Sequence, residues 1–283
     1  MQYKALSIAG FDGSGGAGIQ ADLKTFSALG CYGMTVLTAL PIQNTQGVRS
    51  CYEIPLQAIE DQLNVLFDDI TPDSIKIGML FNSDIIELVA GFLKKRAINI
   101  PLVLDPVTLA KSGDSLLLPE AIETLINKLM PLATIITPNI PEAYTFTGIN
   151  AQSEKEMISV AEKLLGFGPE FVLLKGGHLQ SSESNDLLYG KDGSSTWYKN
   201  SRIDSKNTHG TGCTLSAAIA ACLAQNIELK QACTIAKAYL TNAIQASKDQ
   251  SVGLGNGPVH HFYHQWPSFS DADSIYRSIT HNR

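Results

Sequence analysis

The 283-residue chain has no CxxC pair, no run of lysine and arginine beyond the three residues Lys94-Lys95-Arg96, and no apolar stretch near the roughly 20 residues that a membrane-crossing helix needs. Its five cysteines, Cys31, Cys51, Cys213, Cys222 and Cys233, are odd in number and scattered. Such a set reads as reduced thiols in a cytoplasmic protein rather than a disulfide framework. The segment Met1 to Ala9 lacks the long apolar core and cleavage site of a secretory signal, which supports the same expectation. Positive charge is in deficit: 21 Lys and Arg against 27 Asp and Glu give a formal net charge of −6, which argues against a nucleic-acid binder. Charged residues are only 17 % and hydrophobic residues 44 %, so disorder is excluded. No GxxxxGK[ST] occurs, and a Walker-type nucleotide cradle is excluded with it.

What the chain does have is alternation. Ala5 to Ala9 is a short apolar run stopped by Gly10, as a buried strand would be. Over 17–29 the spacing of Ile19, Leu23, Phe26 and Leu29 predicts a helix, which Gly30 ends. Met34 to Leu40 reads as a strand, 56–68 as a helix, and Ser74 to Ile77 as a strand ending at Gly78. The pattern repeats through a helix at 83–95, strand Leu102 to Asp105, helix 119–130, strand Thr134 to Thr137, helix 154–166 and strand Phe171 to Leu174. Asp186 to Tyr198, with Lys191-Asp192-Gly193 at its middle, predicts an edge hairpin. Helices at 212–224 and 229–248 follow. Strands alternating with helices predict parallel βαβ units and one α/β domain over 1–266, with helices on both sheet faces. A loosely ordered tail, 267–283, is expected after it. In such sheets ligands bind outside the carboxyl ends of the strands, and that rule selects the loops to read.

The first loop, Gly10 to Gly18, matches GxGxxG at Gly13, Gly15 and Gly18. A dinucleotide site is one reading, but it needs an acid after the second strand, and no Asp or Glu lies between Asp22 and Glu53. A turn needed only for packing, or one letting backbone approach a small substrate, are the others. A different anion site stands later. Asn207-Thr208-His209-Gly210-Thr211-Gly212-Cys213 runs into a strong helix former, Thr214 to Ala221. Glycines before a helix start let successive N–H groups converge, and the macrodipole adds positive charge there, as a phosphoryl group in transfer requires. Cys213 would sit in the first helical turn, where a thiolate is favoured; it is either a base for a substrate hydroxyl or a small gap-filler.

Charged residues stand at other strand ends. Asp105 and Glu142 could hold Mg²⁺ largely through waters, although Glu142 also suits a first-turn helix charge. Lys175 closes a strand before Gly176-Gly177, where it would reach a nucleotide phosphate or simply be solvated. His260-His261-Phe262-Tyr263-His264 lacks HExxH and reads as packing and surface polarity rather than a metal site.

Taken together, Gly10-Phe11-Asp12-Gly13-Ser14-Gly15-Gly16-Ala17-Gly18-Ile19-Gln20-Ala21-Asp22, Gln43-Asn44-Thr45, Lys76-Ile77-Gly78-Met79-Leu80, Val103-Leu104-Asp105-Pro106-Val107, Thr137-Pro138-Asn139 with Glu142, Leu174-Lys175-Gly176-Gly177-His178 and the 207–213 segment resemble the hydroxymethylpyrimidine/phosphomethylpyrimidine kinases of thiamine biosynthesis, of the ribokinase-like superfamily. The likeness runs from about residue 5 to 265, in order. It implies a three-layer α/β/α fold, a homodimer, and ATP- and Mg²⁺-dependent phosphorylation of 4-amino-5-hydroxymethyl-2-methylpyrimidine, then of its monophosphate. By position it implies Gln43 on the aminopyrimidine edge, Asp22 on polar substrate groups and Met79 against the ring. Gly210, Thr211 and Gly212 become the anion hole, with Cys213 where sugar-kinase relatives keep an Asp base. Asp105 and Glu142 fall in the metal–water network and Lys175 on a phosphate. Two positions depart from the pattern: Gly13 where the family commonly has Pro, and Thr108 where Met is frequent. A pyridoxal kinase of the same superfamily is the nearest alternative, and a catalytically silent pyrimidine sensor a remote one.

Overall fold

The structure is a computed structural model and describes residues 3–108 and 116–266. In chain order the strands are β1 (Lys4–Ala9), β2 (Tyr32–Leu37), β3 (Ala39–Asn44), β4 (Gly47–Glu53), β5 (Ser74–Ile77), β6 (Leu102–Leu104), β7 (Ile135–Ile136), β8 (Phe171–Lys175), β9 (Asp186–Gly190) and β10 (Ser195–Tyr198). The helices are α1 (Gly18–Ala28), α2 (Leu56–Asp69), α3 (Ser83–Arg96), α4 (Ala121–Thr124), α5 (Ile140–Thr147), α6 (Glu154–Leu165), α7 (Thr211–Ala224) and α8 (Leu229–Ser247).

Eight strands make one sheet in the order β10-β9-β8-β7-β6-β5-β1-β2, while β3 and β4 form a separate hairpin. The six strands from β8 to β2 run parallel, and β9 and β10 close one edge antiparallel. Successive side chains of a strand face opposite ways, and here both faces are buried. Leu6, Ile8, Ile75, Ile77, Leu102, Leu104, Ile136, Val172 and Leu174 enter the core shared with α2, α3, α5 and α6. Ala5, Val103, Ile135 and Leu173 enter the opposite core, with Phe26 of α1 and the alanine-rich α7. A helix apolar all round belongs inside, and α7 packs on β1, β5 and β6 with α1, which also lies on β1 and β2, and α8 against its other sides.

Two local expectations need correction. The apolar run Met34 to Leu40 is not one strand: β2 stops at Leu37, the Thr38 hydroxyl donates to the Met79 carbonyl at 2.6 Å, and the chain leaves the sheet as the β3–β4 hairpin. The helix expected over 119–130 is only α4, followed by a π-helical turn over Leu125–Leu129 and a 3₁₀ turn over Met130–Leu132 that contains Pro131. Helix α5, indicated in the sequence only by the first-turn reading of Glu142, starts at a capping box of Asn139 and Glu142. The predicted edge hairpin is present as β9 and β10. The expected tail, 267–283, lies outside the described residues.

Candidate active site

The parallel strands all point their carboxyl ends at one rim. There Gly10 follows β1, Gly78 and Met79 follow β5, Asp105 follows β6, Asn139 follows β7, and Lys175 ends β8. The rim, the β3–β4 hairpin and the start of α7 enclose a cleft of about 530 Å³. Gln43, Met79, Asp105, Glu142, Lys175, Gly210, Thr211, Gly212 and Cys213 all line it.

At the α7 start, Gly210 has a left-handed φ of 74°. Its missing side chain is also required sterically, because a Cβ there would collide with the Gly16 carbonyl of the first loop. Gly212 keeps a second space open: a Cβ would come 3.3 Å from Asp105 Oδ2 and 3.4 Å from Lys175 Nζ. The amides of Gly212 and Cys213, in the first helical turn, have no intrahelical acceptor and carry the positive end of the α7 dipole. An anion there meets amides, dipole and the Lys175 ammonium together.

Asp105 is buried and fully engaged. Its Oδ1 accepts from Lys175 Nζ and from the Thr137 hydroxyl, each at 3.1 Å, and its Oδ2 from the Ser216 hydroxyl at 3.4 Å. Glu142 serves two purposes. Its Oε2 accepts from the Asn139 amide at 2.7 Å, closing the capping box, and its carboxyl still lines the cleft. Burial first, and Asp105 as well, push its pKa up to about 7 against the pull of Lys175. Lys175 is held charged by Asp105 and Glu142, although burial opposes this.

Cys213 departs from the thiolate that its helix position suggests. Burial pushes the thiol up to about 11, with Asp22 and Asp105 acting in the same direction and Lys76 against them. Dehydration of a thiolate outweighs the helix end here.

Asp22 does not reach the cleft. It is fully buried, with Oδ2 accepting from the Ser7 hydroxyl and from Lys76 Nζ, the latter at 2.8 Å. Its Oδ1 has no hydrogen-bond partner among the described residues. The expected substrate contact is corrected accordingly: Asp22 anchors Lys76, whose ammonium borders the cleft floor. Burial works against the Lys76 charge, yet Asp22, Cys213 and Asp105 hold its pKa above the ordinary value. Gly78 makes room for it, since a Cβ there would lie 2.8 Å from Nζ. Lys76 was not recognised from the sequence, and the signal was a lysine inside the fully buried strand Ser74–Ile77.

On the opposite wall, Gln43 follows a bulge in β3 and donates from Nε2 to the Phe11 carbonyl at 3.1 Å. Met79 lies over Gly10, whose Cβ would come 3.0 Å from the Met79 sulfur. Asp12, also unrecognised, organises the first loop. Its carboxylate accepts from the amides of Ser14, Gly16 and Ala17, and lies 2.8 Å from His209 Nε2. Burial raises its pKa, but the His209 and Ser14 hydrogen bonds prevail and hold it at about 2. With those amides already used by Asp12, the loop has no cradle for a pyrophosphate, and the dinucleotide reading is set aside. His261, from the late histidine cluster, is buried against the Thr214 hydroxyl at 3.1 Å. Among the described residues no group of three or more His, Cys, Asp or Glu could hold a metal.

A doubly covered, mostly parallel sheet with a glycine-built anion turn at the start of an inner helix defines the ribokinase-like class. Residues 12–260 match the family model described as phosphomethylpyrimidine kinase. The chain belongs to that family. It is 49 % identical over 266 residues to the hydroxymethylpyrimidine/phosphomethylpyrimidine kinase of Salmonella typhimurium, spanning 94 % of this chain and 99 % of that one. Among solved structures, a phosphomethylpyrimidine kinase from Clostridium difficile shares 48 % identity at a TM-score of 0.76, over 86 % of this chain and 99 % of that one. An ADP complex of Bacillus subtilis pyridoxal kinase shares 38 % identity at 0.85, over 94 % and 100 %.

Proposed function

We propose that the protein transfers the γ-phosphoryl group of ATP to the hydroxymethyl group of 4-amino-5-hydroxymethyl-2-methylpyrimidine, and then phosphorylates the monophosphate to the diphosphate. The observation that carries this reading is the Gly210–Gly212 turn, which sits beside Lys175 and Asp105 and shares one cleft with Gln43 and Met79. Family membership and the named relatives support it.

The ring needs an apolar wall and a few directed hydrogen bonds, and Met79 and the Gln43 amide supply them. The amides of Gly212 and Cys213, with Lys175, take the negative charge that spreads over the phosphoryl oxygens in transfer. As the new O–P bond forms and the bond to ADP breaks, the minor thiolate form of Cys213, which Lys76 beneath it favours, accepts the hydroxyl proton and becomes the thiol. At neutral pH the resting thiol is uncharged. It therefore does not repel the phosphate of the monophosphate, and the same site accepts both substrates. Asp105 and Glu142 are hard oxygen donors whose mutual repulsion a divalent cation would relieve, so they fit Mg²⁺ held mainly through waters. When bound, that ion would screen the nucleotide phosphates. Homodimerisation and a cytoplasmic location go with this reading; no helix among the described residues is long and apolar enough to cross a membrane.

Product analysis with ATP, Mg²⁺ and either the pyrimidine or pyridoxal is the test. Diphosphate formed from the pyrimidine is expected. Phosphate transfer to pyridoxal alone would replace this reading with that of a pyridoxal kinase, whose fold is shared.

A further inference from the structure

Glycines recur at every second position of the loop after α8, at 253, 255 and 257, and each lies against a different polar partner. At Gly253, with φ of +74°, a Cβ would collide with the Thr45 hydroxyl, and at Gly255 with the Thr45 carbonyl. At Gly257 it would collide with the Asn207 side-chain oxygen. The hydrogen bonds follow the same route. Asn256 donates its amide to the Thr45 carbonyl at 2.9 Å, and Gly255 donates to the Thr45 hydroxyl at 3.2 Å. One residue further, the Gly257 carbonyl accepts from the His209 amide at 3.0 Å, and Pro258 forms a bridge to His209. Asn207 is tied from the other side, donating to the carbonyls of Ser247 and Gln250.

Thr45 is the turn of the β3–β4 hairpin, two residues beyond Gln43, and His209 precedes Gly210. The two walls of the cleft come from chain segments more than 150 residues apart, and this loop touches both. The hairpin belongs to a separate two-stranded sheet, so the main sheet's hydrogen bonds do not hold its tip. An isolated two-stranded hairpin is marginally stable and takes its position from what packs on it.

We propose that residues 253–258 are a strap that fixes the hairpin tip relative to the phosphate-binding turn, with Thr45 and Gly255 as positioning residues. This deepens the kinase reading above and rests on it for the meaning of the two walls. Side-chain-free positions are needed because the strap meets the Thr45 carbonyl at Gly255 and the Thr45 and Asn207 side chains at Gly253 and Gly257. A displaced tip would carry Gln43 away from the turn, and misplacement of about 1 Å is enough to cost on the order of 10²-fold in rate.

The test compares the full-length protein with Gly255→Ala, which forces the Thr45 carbonyl aside, and with the milder Thr45→Ala, which removes only the hydroxyl hook. Hydrogen exchange is read at the amides of 44–47 and 207–210 without any ligand. Steady-state kinetics with ATP and the hydroxymethylpyrimidine follow. In Gly255→Ala both sets of amides are expected to exchange about tenfold faster or more while the main-sheet amides hold, the opening of a local unit. The KM for the pyrimidine is expected to rise and kcat to fall, with Thr45→Ala changing in the same direction by less. Faster exchange confined to 44–47 with kcat intact would overturn the proposal, and so would a uniform rise across the sheet. Because the exchange readout needs no substrate, inactivity of the unsubstituted protein toward the pyrimidine would defeat the kinase reading and leave the strap still decided by exchange.

Discussion

Cys213, half-buried in the cleft wall, and the buried Lys76 show how two groups set each other's chemistry. With its thiol held at about 11, Cys213 is protonated at rest and acts as a base only in its thiolate form, which Lys76 favours. Cys213→Ala is expected to lower kcat about 10²-fold, the scale of a lost general base, with the KM for ATP little changed; turnover close to normal would assign the residue to packing. Lys76 acts through that sulfur. Removing its charge alone would leave Asp22 buried and unpaired, a loss of about 3–5 kcal/mol. The informative variant is therefore Lys76→Met combined with Asp22→Asn. Since the ammonium draws the thiol pKa down, its loss moves the pKa up relative to Asp22→Asn alone, and iodoacetamide should alkylate Cys213 more slowly than in that single variant at a fixed alkaline pH. An alkylation rate equal to that of Asp22→Asn alone would show that Lys76 serves stability only.

Among the elements, the start of α7 carries the demand that no side chain can meet. Gly210→Ala places a methyl group against the Gly16 carbonyl and asks an L-residue for a left-handed φ. The turn must shift, and a lost or misdirected oxyanion donor costs about 10²–10³ in kcat. Turnover and ADP affinity together check this, and both should fall. Much of this element was visible beforehand. Two glycines and a threonine before an alanine-rich run mark a helix start whose amides converge. Helix α5 carried an equally plain signal in Asn139, Pro141 and Glu142, a capping box with proline in the first turn. Glu142 carries both readings, first-turn helix charge and metal-network acid, and the Asn139 side chain accepting from the Glu142 amide is what marks the helix start. The β2–β3 break was not visible at all. The bend at Thr38 depends on a carbonyl 41 residues away, and a continuous apolar run contains no trace of that partner.

For the molecule as a whole, acid should dissolve the links between segments before the sheet itself yields. His261 is held to about 3 from 6.5, first by burial, so the folded form resists protonation and its contribution is lost as pH falls below 6.5. Asp12 falls from 3.8 to about 2, so the stability it adds is full above 3.8 and lost as pH drops toward 2. That shift corresponds to about 2 kcal/mol. Thermal unfolding between pH 7 and 3 should show Asp12→Asn less stable than the natural chain at pH 7 and the two converging at the acid end. Parallel curves would mean that Asp12 adds nothing through its charge.

Short apolar strands alternating with amphipathic helices are local properties, and so is a glycine-flanked helix start. The sequence by itself determined the α/β class, the order of most elements and the loops that carry chemistry. Tertiary structure alone decided which charges face the cleft and which lie beneath it. Asp22 and Lys76 are 54 residues apart, and neither one's spacing reveals that they pair at 2.8 Å under Cys213. The thiol's protonation was decided there too, because dehydration depends on everything packed around a group, whereas a helix dipole can be read from one segment of chain.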